Sequence, residues 1–202
     1  ATLLAKALVL ALALPVLAMS RDEFEGGEFP ALLLSSLYGV GLMLSADSFL
    51  TLFLGLEIMS LPVYVLVLLA YRRAQSAEAA LKYLVLGGTS TAMLLMGVSL
   101  LYGASGSMDI VVFAKALGSA DTMARAAVVL VILAFFLKAA IVPLHAWAPD
   151  AYEGASVPVT AYMAVVVKAG VLLAAVRVFG DASLSPPLLQ LVAVLPLLSI
   201  VW

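Results

Sequence analysis

Glu57, Lys82, Lys138 and Lys168 interrupt runs that are otherwise apolar. A charged group near the centre of a bilayer costs roughly 2.5 to 3.5 kcal/mol by insertion scales, so such residues face a bundle interior, pair with one another and serve ion pathways. These residue types suit proton transfer. A buried lysine gives up its proton more readily and holds it more tightly when a carboxylate approaches, so moving a partner switches its protonation. Glu57 is the one carboxylate inside a span. It is expected to pair with a mid-membrane lysine, Lys138 foremost, so that opening and closing the pair moves a proton. The competing reading is static: buried polar groups also hold membrane helices together, each contact contributing little.

The elements that must position these groups are membrane helices. Of 202 residues, 65% are hydrophobic and 11% charged, whereas a soluble domain is about half apolar and a quarter charged. The charge-free runs 29–46, 83–108 and 182–202 approach or exceed the roughly 18 to 20 residues that cross a bilayer core as a helix. Charge, Pro and Gly divide the chain into about seven spans, near 3–19, 30–46, 48–71, 77–103, from 124 onward, 156–179 and from the 180–187 loop to 202. The fold class is therefore an all-α polytopic bundle with one broken helix. The first run carries Lys6 and no small-residue cleavage site, so it reads as a span rather than a cleaved signal. The acidic stretch 21–28 must lie in water. The third and fourth spans form an antiparallel hairpin through the turn Arg72-Arg73-Ala-Gln-Ser76, with Ser76 expected as the N-cap. Residues 110–117 are expected to form a short amphipathic interfacial helix. The cluster Gly87-Gly-Thr-Ser-Thr-Ala92 permits close packing at the centre of the fourth span. Basic residues divide almost evenly between the two sides. Only the Arg72-Arg73 turn votes locally, and it places that side in the cytoplasm.

Depth groups the charges. At ~1.5 Å per residue, Glu57 lies ~21 Å in, Lys168 ~18 Å in and Lys138 at most ~25 Å in, all measured from the Arg72-Arg73 side. Lys82 is only about a turn and a half into its helix and four residues after Glu78, so it can also pair locally or snorkel. Beside Lys138 the helix must break, because Pro143 cannot donate to the Ala139 carbonyl and Pro149 likewise frees the carbonyl of His145. Broken helices recur at transporter ion sites, and water is expected to enter here. His145 is a possible accessory, either orienting the loop or shuttling protons. Asp150 and Glu153 read as interfacial or helix-start charges.

Other chemistries are excluded by the polar inventory. With no Cys and one His, the chain cannot supply an iron–sulfur cluster, structural zinc site, paired-His haem or disulfide. No Gly-rich phosphate loop follows a strand pattern, and a net charge of −2 offers no footprint for nucleic acid. No metal and no cofactor are expected in this chain.

The runs Leu54-Gly-Leu-Glu57-Ile-Met-Ser-Leu-Pro62, Glu78-Ala-Ala-Leu-Lys82-Tyr83 and Phe136-Leu-Lys138-Ala-Ala-Ile-Val-Pro143-Leu-His145-Ala-Trp147-Ala-Pro149-Asp150-Ala-Tyr152-Glu153, followed by Pro158 and Lys168, resemble the antiporter-like membrane subunits of respiratory complex I. The resemblance covers nearly the whole chain. Its wording is most similar to the subunit N branch, related to mitochondrial subunit 2, although Ala148 and Ala151 stand where Thr and Val are usual. The resemblance implies a proton-translocating subunit of a bacterial inner-membrane NADH:quinone oxidoreductase, with Glu57 as the conducting carboxylate, Lys138 as its partner, Lys168 as the connecting lysine and Lys82 on the intervening helix. It also implies neighbouring antiporter-like subunits and the lipid bilayer as partners. NADH, flavin, iron–sulfur clusters and quinone would belong to partner subunits. About fourteen helices built on two inverted five-helix repeats are usual. Residues 1–29 would then be a leading helix and acidic loop, 30–180 the first repeat and 181–202 the start of the second, making the sequence a fragment. A multisubunit cation/proton antiporter subunit shares the Glu and Lys positions, and a noncatalytic membrane scaffold remains a further alternative.

Overall fold

The structure, a computed structural model, describes residues 2–21, 27–70, 74–116, 121–180 and 186–201. The Arg72-Arg73 turn, most of the acidic stretch and most of the 180–187 loop lie outside the described residues. Helix dominates because a backbone in hydrocarbon must satisfy its own N–H and C=O groups. In order the helices are α1 (Thr2–Met19), α2 (Glu28–Leu44), α3 (Phe49–Leu69), α4 (Ala74–Ser105), α5 (Ile110–Ala116), α6 (Thr122–Ala139), α7 (Trp147–Gly154) and α8 (Val157–Ala161). A π-helical segment, Tyr162–Val167, joins α8 to α9 (Lys168–Phe179), and α10 spans Pro186–Val201. Five rods are long and apolar enough to cross a membrane: α1, α3, α4, α6 and the continuous Val157–Phe179. The apolar α2 and α10 are shorter, at 17 and 16 residues. Large side chains such as Leu34, Leu68, Leu81 and Val176 point outward, as expected of helices apolar on every side.

The interior is built by close backbone approach. Gly39 of α2 lies against the backbone of Ile58 and Met59, and Gly55 of α3 lies against the backbone of Met43. These two glycines let α2 and α3 meet at a separation larger residues forbid. Hydroxyls add specific ties: Ser36 Oγ donates to the Met59 carbonyl at 2.7 Å and Ser90 Oγ to the Ala134 carbonyl at 2.8 Å, linking α2 to α3 and α4 to α6. The Tyr162 hydroxyl donates to Ser36 Oγ at 2.8 Å, bringing the π-helical segment onto the same seam.

At one end of the bundle Arg177 collects three elements. Its Nε donates to the Ala46 carbonyl at 2.8 Å, its Nη2 pairs with Asp47 at 2.6 Å and its Nη1 reaches Thr2 at 3.1 Å. Ser48 caps α3, accepting from the Thr51 amide at 3.3 Å. The short α5 docks here by Phe113, edge-on to Phe49 at 5.0 Å, while Val111 faces outward, in keeping with an amphipathic segment. At the other end α4 begins two residues before Ser76, so Ser76 is not the N-cap. Its hydroxyl instead donates to the Gly154 carbonyl at 2.8 Å, fastening α7 to α4.

Gly39 tests the packing account. Gly39→Ala places a methyl group on the Met59 backbone and is expected to lower thermal stability in detergent by about 1–3 kcal/mol. Gly41, with nothing within 4 Å of an added Cβ, should accept alanine without loss, as the same thermal-shift measurement would show.

Candidate functional site

Lys138 is the deepest charge. It stands one residue before the end of α6 and is 5% exposed, at a helix C-terminus where the backbone dipole favours a cation. The chain then turns through Ala140 in the left-handed conformation, φ 57° and ψ 46°. This turn closes the helix with Ala140 N–H donating to the Leu137 carbonyl at 3.3 Å and Ile141 N–H to the Phe136 carbonyl at 2.9 Å. Two further amides of the break find partners in protein. Val142 N–H donates to Ser199 Oγ of α10 at 2.7 Å and Leu144 N–H to the Ile141 carbonyl at 2.7 Å. Trp147 Nε1–H caps the Leu137 carbonyl at 2.8 Å. The break expected at Pro143 is thus present and begins three residues earlier. The carbonyl of His145 is not left free by Pro149, because the Ala148 amide donates to it at 2.9 Å.

Around Lys138 the structure departs from the expected ion pair. Among the described residues no carboxylate lies within 4.0 Å of its Nζ. Instead Nζ donates to the Tyr64 hydroxyl at 3.3 Å and sits 5.8 Å from the centre of the same ring. Tyr64 lies seven residues after Glu57 on α3, so both occupy one face about two turns apart. Glu57 is half-buried, and its Oε1 accepts from Thr91 Oγ1 of α4 at 2.7 Å. The amine thus meets α3 through the Tyr64 phenol rather than through the Glu57 carboxylate.

The cluster at 87–92, expected only to pack, positions this site. Gly87 leaves room for the Tyr64 hydroxyl, which an added Cβ would strike. Ser90 holds α6 through the Ala134 carbonyl, and Thr91 holds Glu57. One turn of α4 therefore addresses the acid, the phenol and the lysine helix.

Lys168 and Lys82 are placed differently. Lys168 Nζ lies 5.3 Å from the centre of the Tyr152 ring, a cation–π arrangement. Lys82 has a side chain 44% exposed and pairs with Glu78 and with Asp150, each at 2.8 Å. α4 is ~48 Å long against a hydrocarbon core of ~30 Å, so its first turns reach the polar edge. The Glu78 contact follows from the four-residue spacing, whereas the Asp150 contact depends on the fold. Asp150 also stands in the first turn of α7, as a helix-start charge should.

Aromatic rings connect the two inner lysines, a feature sequence reasoning missed. Tyr64 meets Tyr83 edge-on at 4.6 Å, Tyr83 stacks on Trp147 at 4.6 Å with planes 8° apart, and Trp147 meets Tyr152 at 6.3 Å. Lys138 sits at one end and Lys168 at the other. The helical spacing from Glu57 to Tyr64 was the available signal for the first ring. His145, half-buried, is not part of this chain of contacts. Its Nδ1, with the Tyr152 hydroxyl and Ser156 Oγ, is a buried polar atom lacking a protein partner among the described residues.

The left-handed Ala140 gives a direct test of the break. Ala140→Gly is expected to raise thermal stability by about 0.5–1 kcal/mol, because glycine adopts positive φ without a Cβ clash. Ala140→Val should lower it, and thermal unfolding of the two variants in detergent checks both signs.

Residues 46–202 match the family model described as NADH:quinone oxidoreductase/Mrp antiporter, transmembrane. NADH-quinone oxidoreductase subunit N of Pelobacter propionicus is 41% identical over 183 residues, covering 91% of this chain and 40% of that protein. In solved structures, a chain of respiratory complex I from Thermus thermophilus with bound aureothin superimposes with a TM-score of 0.81 at 34% identity, covering 99% of this chain and 43% of that one. A chain of the Mrp complex from Dietzia sp. gives a TM-score of 0.68 at 29% identity, over 79% of this chain and 30% of that one. The chain thus spans about 40% of the length of the Pelobacter relative. With a family model over most of its length and several apolar helices, this is a multi-pass membrane protein belonging to the NADH:quinone oxidoreductase/Mrp antiporter transmembrane family.

Proposed function

We propose that this chain is part of a proton-translocating membrane subunit of a bacterial NADH:quinone oxidoreductase, of the subunit N type, seated in the cell membrane beside other antiporter-like subunits. The observation that carries the reading is Lys138: a buried amine at the end of a broken membrane helix, turned toward the Glu57 face of α3 without a direct counter-ion among the described residues. A static structural charge is best served by a close, permanent partner, because an uncompensated buried charge is costly. A lysine that exchanges its proton must lack one.

In this reading Glu57 receives or delivers the proton at the α3 end, Lys138 stores it, and Lys168 passes it onward past Tyr152. Lys82, already engaged by Glu78 and Asp150 at the edge of α4, serves access rather than storage. Water reaches the relay around α7, where His145 Nδ1 before it, the Tyr152 hydroxyl within it and Ser156 Oγ after it lack protein partners among the described residues and are suitable ligands for ordered water. Electron transfer, with NADH, flavin, iron–sulfur clusters and quinone, belongs to partner subunits, so the chain contributes to an oxidoreductase without carrying its redox chemistry. Residues 30–180 constitute the first of two inverted five-helix repeats, and 181–202 begin the second.

A cation/proton antiporter subunit is the second reading, supported by the Mrp superposition, whose TM-score is lower and whose coverage of this chain is smaller. Dependence of transport on sodium would select it. For the main reading, Glu57→Gln in the full-length subunit is expected to reduce redox-driven proton translocation in membrane vesicles by at least about tenfold, since losing a proton-transfer group generally removes 10²–10⁴ in rate. Normal incorporation of the variant, checked in the purified complex, excludes misassembly. Wild-type translocation by that complex would overturn the relay.

A further inference from the structure

The Tyr64 phenol is buried, accounts for the position of Lys138 and has no part in the relay just described. We infer that the Tyr64 hydroxyl is a positioning group for Lys138, holding the amine at the end of α6 on the Glu57 side of the bundle in both of its protonation states. This rests on the relay reading above and adds to it a residue that neither charge nor membrane depth would select.

Four observations converge on the hydroxyl. It is within 3.3 Å of Lys138 Nζ, the one hydrogen bond the amine makes to a described residue. Its ring centre is 5.8 Å from the same nitrogen, so the amine lies just beyond the hydroxyl end of the ring and the hydroxyl is the atom that meets it. The ring is clamped edge-on by Tyr83, itself stacked on Trp147, whose indole N–H is tied to the Leu137 carbonyl next to Lys138. The phenol is thereby registered to the broken end of the very helix that carries the lysine. Finally, the space for the hydroxyl exists because position 87 is glycine, and any Cβ there would collide with it.

The chemistry of the phenol fits a partner that must tolerate two states. A hydroxyl both accepts and donates. It accepts from the ammonium when Lys138 is protonated and donates to the amine nitrogen when it is not, so the nitrogen keeps this one partner in either state. A carboxylate at that point could only accept and would favour the ammonium strongly, fixing the proton in place. Thr91 has a parallel relation to Glu57, donating to the carboxylate at 2.7 Å. The acid and the amine therefore each rest on a hydroxyl, and the two hydroxyls meet the same turn of α4, at Gly87 and Thr91.

Tyr64→Phe separates the hydroxyl from the ring, because phenylalanine keeps the packing on Tyr83 and removes only the group that meets Lys138. The titratable groups around Lys138 are Tyr64 and Glu57 from α3 and Tyr83 from α4, with Lys168 of α9 beyond Tyr152. All but the phenol are retained in the variant. In the assembled full-length complex, Tyr64→Phe is expected to incorporate normally and to slow proton translocation about three- to tenfold. The alkaline limb of its pH profile should move to lower pH by roughly half to one unit, since the ammonium form loses its acceptor. Gly87→Ala, which keeps the tyrosine but displaces its hydroxyl, should give the same shift. Wild-type rate and pH profile in Tyr64→Phe would overturn the inference, as would a slower rate with an unmoved alkaline limb, which marks a packing role. If Glu57→Gln translocates protons normally, the relay itself fails. If Glu57→Gln is inactive while Tyr64→Phe matches wild type, the relay stands and the Tyr64 role alone is lost.

Discussion

A lysine amine enclosed in a helix bundle needs partners for its charge, and the structure is organised around how Lys138 obtains them without a carboxylate. The end of α6 contributes the negative pole of the helix, and the Tyr64 phenol contributes one hydrogen bond. The first of these exists because α6 stops at Ala139. An uninterrupted helix would point the carbonyls of its last turn into further helix, and the lysine would lose the free C-terminus beside it.

The break makes demands of its own. Backbone released in the membrane interior must be satisfied locally, and four elements supply what is needed: the left-handed turn at Ala140, the indole of Trp147, the hydroxyl of Ser199 on α10 and the amide of Ala148. Trp147 does this while stacking on Tyr83, so the group that caps α6 also sets the ring that backs Tyr64. Packing of α4 on α3 and α6 then follows from Gly87, Ser90 and Thr91. Burial, helix termination and placement of the titratable groups form one connected arrangement rather than separate features.

Much of this was legible in the residues. Apolar run lengths fixed the membrane rods, Pro143 announced the break, and the spacing of Glu78 and Lys82 foretold their pair. Effects that depend on long-range approach were not readable. Nothing local to Asp150 says that it meets Lys82 from another helix, and nothing near Ser76 says that its hydroxyl prefers Gly154 to its own helix end. The direct Glu57–Lys138 pair was expected from charge and depth alone. The group that meets the amine instead is the hydroxyl of Tyr64, two turns along the same face. The π-helical segment before Lys168 has no compositional mark in Tyr162-Met-Ala-Val-Val-Val167.

The central claim is that Lys138 serves by exchanging a proton and not by carrying a fixed charge. Arginine separates the two, because guanidinium keeps its positive charge at every accessible pH and cannot act as the proton store. Redox-driven proton translocation by the assembled complex bearing Lys138→Arg is therefore the most direct measurement. The account predicts a complex that assembles with the substituted subunit and fails to translocate protons through it. Translocation at the wild-type rate would show that a permanent cation suffices, and would contradict the account.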